Sequence, residues 1–247
     1  MIKKVVKVSL AFITVNVLFL LGLVFFPAVS YAHETKVDEV TIYHNEPLPD
    51  HFLESVDESL QALKKTMLYR GPSTLDICVN DDSYYPGIIR ALMGDDVFRA
   101  FANKSVMMGE FSGPDQMRIW GREVSITQFL THAMIHNLQF EHHGFWDANP
   151  IGGYAEWKWE GYVEYEVLGK DNSLSYFHKK SIGGKGDFDW IELENGLATI
   201  KRHIDYLMLA KYCLEVKEMT YDEMMEYEVS EEVLMQELRC YLKETDK

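Results

Sequence analysis

The stretch Ser125-Ile-Thr-Gln-Phe-Leu-Thr-His132-Ala-Met-Ile-His136-Asn-Leu-Gln139-Phe140 decides how the chain is read. It holds neither Pro nor Gly, and Ile126, Leu130, Met134 and Leu138 recur at steps of four, which predicts an amphipathic helix. The opposite face carries Gln128, His132, His136 and Gln139, with His143 one turn further on. Two histidines four apart lie one above the other on a helix and can share one metal ion. A solvated polar stripe has the same composition, so the HxxxH spacing alone leaves both readings open.

The second segment that bears on the question runs Trp157-Lys-Trp-Glu160-Gly-Tyr-Val-Glu164-Tyr165, inside a helix predicted from about Tyr154 to Leu168. A carboxylate from this neighbouring helix would complete a two-His-one-carboxylate set, leaving a coordination position open. Glu156, Glu160 and Glu164 form one row at steps of four; Glu160 fits the ligand position and Glu164 can orient a ligand histidine from behind. Gly161 costs helix stability, which points to close packing there. The same ligand types also suit non-haem iron.

Outward from these helices the chain reads as one α+β domain, strands first and helices after. Residues 39–44 and 74–80 alternate as short strands, and a helix with Leu53, Val56, Leu60, Leu63 and Met67 on one face lies between them. A short helix is expected at 88–102, a loop from Gly109 to Asp115 and a strand around Met117 to Trp120. Residues 143–153 form a Gly-rich aromatic loop, and 169–190 read as an irregular one. Leu197, Ile200, Ile204 and Leu207 mark a long helix, Thr220 with Glu223 a capping box, and Ser230 to Lys243 a last helix.

Residues 1–32 stand apart from the domain at 33–247. Lys3, Lys4 and Lys7 precede the uncharged run from Val8 to Phe26, followed by Pro27 and small residues ending at Ala32. This is the layout of a signal peptide cleaved after Ala32, and the run is also long enough for an uncleaved membrane anchor. In both cases the lysines keep the N-terminus inside, so the expected location is secreted or extracytoplasmic, with the membrane touched only through residues 8–26. The net charge of −15 becomes −18 without residues 1–32, which argues against nucleic acid as a partner. The acidic C-terminal segment reads as a solvated helical surface. Of Cys78, Cys213 and Cys240, the last two are the expected pair in an oxidising compartment, with Cys78 in a buried strand.

The two motifs together resemble those of the gluzincin metallopeptidases, which pair an HExxH helix with a later WxxEGxxEY helix. The resemblance covers roughly residues 125–168. Upstream, a strand, a helix and the Ile77-Cys-Val-Asn-Asp81 strand are similar to the arrangement in small secreted peptidase-like proteins. It implies a zincin-like helical region with Zn(2+) held by His132, His136 and Glu160. It also implies a general-base glutamate at the position where this chain has Ala133, and alanine can neither take a proton from metal-bound water nor deliver one.

Two functions follow from the resemblance: a pseudopeptidase that binds peptides or a protein partner without cutting them, and a peptidase using a displaced base. Glu123, Glu141, Glu164 and His143 are the candidates for that base. Peptidases of this kind often place a transition-state donor on a C-terminal helix, a role open to His203, and the sequence favours a surface histidine there. His142 and His143 beside Phe145 and Trp146 could line a cleft or hold a second cation, against the reading of an ordinary polar loop. Trp157 and Trp159 read as packing residues.

Overall fold

The computed structural model describes residues 2–245. Helix α1 (Ile2–Phe25) precedes the N-terminal layer: β1 (His33–Val37), β2 (Val40–His44), α2 (Asp50–Leu63), β3 (Leu75–Cys78), α3 (Tyr84–Met93), β4 (Phe98–Phe101) and β5 (Lys104–Met107). These strands make one mixed sheet in the order β1-β2-β3-β5-β4. β2, β3 and β5 run parallel, while β1 and β4 are antiparallel edge strands. The central strands are covered on both faces, so successive residues such as Val40, Thr41 and Ile42, or Leu75, Asp76, Ile77 and Cys78, are all buried and the alternation expected of a half-exposed strand is lost.

A three-stranded antiparallel sheet follows, β6 (Glu110–Gly113), β7 (Gln116–Ile119) and β8 (Arg122–Ser125), and β8 leads directly into α4 (Ile126–His143). The start of α4 is held by side chains. Ser125 caps it by accepting from the Gln128 amide at 3.1 Å. The Asp115 carboxylate accepts from the Ser125 hydroxyl at 2.7 Å, from the amide and hydroxyl of Thr127 at 2.7 Å each, and from Ser55 of α2 at 3.0 Å. A negative charge at a helix N-terminus also opposes the helix dipole favourably. Further along, Asn137 donates to the carbonyls of Ala102 and Lys104 and accepts from Ser105, fastening α4 to the sheet.

The C-terminal layer holds α5 (Glu156–Glu164), α6 (Leu174–Gly183), the hairpin β9 (Trp190–Glu192) and β10 (Ala198–Ile200), α7 (Lys201–Lys211), α8 (Tyr221–Glu226) and α9 (Glu231–Thr245). α5 and α7 each continue as a π-helical turn, Tyr165–Gly169 and Tyr212–Val216. The fold is α+β, with the capping box at Thr220 and Glu223 formed as read from the sequence.

Several local expectations are corrected. Residues 98–101, expected at the end of a helix, form the edge strand β4, because Phe98 and Phe101 find their burial in the sheet. Part of the Gly109–Asp115 loop is β6, and the 169–190 loop contains α6, capped by Ser173. Leu197 and Ile200 lie before α7, Ile200 in strand β10, and Met67 is exposed. Cys213 is buried, Cys240 is exposed and all three cysteines are free thiols, so the expected pair is not formed.

Among the described residues no helix is long and apolar enough to cross a membrane. The side chains described in α1 are Lys7 and those from Ser9 on, so that statement covers only part of the run beginning at Val8.

α5 and α7 meet at Gly161. A β-carbon there would lie 2.5 Å from the Tyr206 carbonyl oxygen and 3.3 Å from the Ala210 side chain. Backbone cannot yield as a flexible side chain can. Gly161→Ala therefore destabilises the fold by about 2 kcal/mol, although alanine gains about 1 kcal/mol in helix propensity. Urea unfolding checks this, and a variant as stable as the parent would show that the helices are not in such close contact.

Candidate metal centre

His132 and His136 project from α4 and Glu160 from α5, and their ligand-capable atoms all lie within 4.8 Å of one another. The separations are 3.1 Å between the two Nε2 atoms, 3.2 Å from His136 Nε2 to Glu160 Oε2 and 3.4 Å from His132 Nε2 to the same oxygen. Ligands at 2.0–2.1 Å from one ion stand about 3.3 Å apart in tetrahedral geometry and about 3.0 Å apart at octahedral angles. The three groups fit a divalent transition metal without rearrangement.

The tautomers fit as well. Gln139 donates from Nε2 to the Trp159 carbonyl at 3.1 Å, which turns its oxygen towards His136 Nδ1 at 2.8 Å. His136 Nδ1 therefore carries a hydrogen, and its Nε2 faces Glu160 and His132. His132 Nδ1 lies 3.5 Å from Glu164 Oε1, a carboxylate behind a histidine of the kind that raises ligand basicity. Glu164 is buried and also accepts from His203 Nδ1 at 2.8 Å and from Thr199 at 3.0 Å. Its second oxygen has no partner. Trp159 stacks on the His136 ring and fixes its plane.

Burial alone would raise the Glu160 carboxyl, but the charges and hydrogen bonds of His136 and His132 hold it well below the usual carboxylate range. His136 is raised for the reciprocal reason, the attraction of Glu160 outweighing burial. A metal needs both Nε2 lone pairs, so its binding displaces protons and weakens in acid.

His203 borders this site and keeps about a quarter of its side chain exposed. Its ring lies parallel to that of His132 at 6.2 Å, and Glu164 outweighs burial to raise it to about 9. Glu164 is lowered in turn, against burial, by His203, His132 and Thr199.

The other sequence candidates are engaged elsewhere. Glu123 pairs with Arg118, and Glu141 accepts from Ser73. His143 is bonded through one nitrogen to Tyr221 and through the other to Tyr154, while His142 pairs with Asp222 at 2.7 Å. Ala133 is 1% exposed, inside the core. Two contributors were missed in the sequence. Thr199 sits on a strand too short to be recognised, and Gln128, assigned to the polar stripe, clamps that strand through both the amide and carbonyl of Ala198. Trp157 and Trp159 are buried packing residues, as expected.

Comparison with known protein families, curated proteins and solved structures finds no match to this chain.

The pH dependence of the metal-free protein follows from the His203–Glu164 pair. A raised histidine contributes fully below its ordinary value of 6.5 and loses that contribution as pH rises through about 9. A lowered glutamate contributes above its ordinary 4.5 and loses it as pH falls. The stability difference between the parent and His203→Gln is thus largest between pH 4.5 and 6.5 and vanishes above about pH 9. Denaturant titrations at stepped pH read it directly; a pH-independent difference would show that the pair is not ionised.

Proposed function

We propose that this protein is a zinc-binding, metallopeptidase-like protein of the extracytoplasmic space that holds a peptide or protein partner without hydrolysing it. The observation that carries the reading is the convergence of two Nε2 atoms and one carboxylate oxygen, while Ala133, next in sequence to His132, has no group to move a proton. Bound zinc would polarise a carbonyl and acidify its water.

The residues of the chain supply the rest. His132, His136 and Glu160 would hold the metal, Glu164 and Gln139 orient the two imidazoles, and protonated His203 places positive charge beside His132. None of these takes the proton that hydrolysis must remove. The displaced-base alternative has less support, because Glu123, Glu141 and His143 each have a partner away from the ligands and Glu164 lies behind His132. The similarity of the motif pair to gluzincins favours zinc over iron.

Metal analysis of the purified chain is expected to find about one zinc per chain, reduced to background in His132→Ala while the variant stays folded by circular dichroism. Iron in place of zinc, or metal unaffected by the substitution, would overturn the assignment.

The second expectation concerns catalysis. The native chain leaves a mixed peptide library uncut, and Ala133→Glu, confirmed first to retain zinc, gains about 10²-fold or more in cleavage rate. Efficient cleavage by the native chain, with no gain from the glutamate, would replace the binding role with an enzymatic one.

A further inference from the structure

Helix α1 leaves the domain with apolar side chains on every side. Leu10, Phe12, Ile13, Val15, Leu18 and Phe19 point around the whole circumference and are 58–69% exposed. A helix apolar all round that no protein covers is a membrane element by composition. The part of the helix that carries no charge, Val8–Phe25, extends about 27 Å at 1.5 Å per residue, against about 30 Å for a bilayer core, and Lys3, Lys4 and Lys7 stand at its outer end.

The foot of this helix is built into the domain. Val24 and Pro27 are buried, and the Val24 carbonyl accepts from the Tyr85 hydroxyl at 2.6 Å. Phe25 sets its ring edge-on to Phe101 and Phe145. The Ser30 carbonyl accepts from Ser83, the Tyr31 hydroxyl donates to the Val79 carbonyl, and the Ala32 amide donates to Asn45. Cleavage after Ala32 would remove the Val24 carbonyl and the Tyr31 ring from Tyr85 and uncover that buried side chain.

Around the foot, large apolar side chains face solvent. Phe26 is 67% exposed and Val29 69%, and Trp146, which packs edge-on to Phe145, is 74% exposed. Tryptophan at the end of an apolar helix is the usual anchor at the boundary between lipid headgroups and hydrocarbon.

We propose that residues 1–32 are retained, that α1 is embedded in a lipid bilayer, and that Phe26, Val29 and Trp146 seat the domain on the bilayer surface. The occupant of the exposed face is lipid and not a second copy of the chain, because the apolar residues surround the helix instead of forming one stripe, as a helix pair would need. The proposal is independent of what the metal centre binds.

Two measurements on the full chain test it. The protein is expressed in a host with a functional secretion pathway, recovered from membranes after an alkaline wash, and its intact mass determined. The expected mass includes residues 1–32; a chain beginning at His33, or one released by the wash, overturns the proposal. The purified chain is then reconstituted in phosphatidylcholine vesicles with brominated acyl chains and its tryptophan fluorescence recorded. Trp146→Phe is expected to lose most of the bromine-dependent quenching and Trp120→Phe to keep it. Equal quenching in the two variants, or a discrete dimer that does not enter vesicles, overturns the seating on lipid.

Discussion

The backbone contact at Gly161 governs the arrangement of the C-terminal layer. With only a hydrogen at that position, α5 lies against the Tyr206 carbonyl of α7, closer than any side chain permits. That approach sets Glu164, one turn along α5, beneath His203 and Thr199, and it turns Glu160 towards the histidines of α4. The three ligand-capable atoms come from two helices, so their separations of 3.1–3.4 Å depend on how those helices are spaced.

The centre is a small island of charge in an apolar surround. Burial opposes ionisation of each member, and each is nevertheless shifted towards its charged form by the next: Glu160 by the two histidines, Glu164 by His203, His136 by Glu160. Such a network is costly when incomplete, since removing one partner leaves another charge buried without compensation. Gln139 and Thr199 complete it from the protein side, yet the two Nε2 atoms still face one another at 3.1 Å. That convergence is what a cation would relieve. Ala133 adds nothing to the network, and its burial among core residues keeps that face of the helix packed.

The interior of α4 and the ligand-bearing turn of α5 were legible because their periodicity and motif spacing are local. The HxxxH spacing places two imidazoles on one face wherever the helix goes, and the glycine after Glu160 announces a tight contact without saying with what. The errors fall where burial comes from distant residues. Phe98 and Phe101 are apolar enough for a helix, but β5 supplies hydrogen-bond partners that make them a strand. The strand at Ala198–Ile200 is too short for any pattern, and it exists because Trp190–Glu192 and the Gln128 side chain bond to it.

The sequence by itself determined the helix carrying His132 and His136, the carboxylate row on the following helix, the alanine at position 133 and the α+β order of elements, since all of these follow from residue type and spacing along a few turns. Only the tertiary structure decided that Glu160 faces the histidine pair, that Glu164 is shared by His132 and His203, that the cysteines stay apart, and that Val24, Ser30 and Tyr31 contact Tyr85, Ser83 and Val79. Each of these depends on surfaces brought together from far apart in the chain, where the deciding terms are desolvation and close packing, which no local pattern encodes.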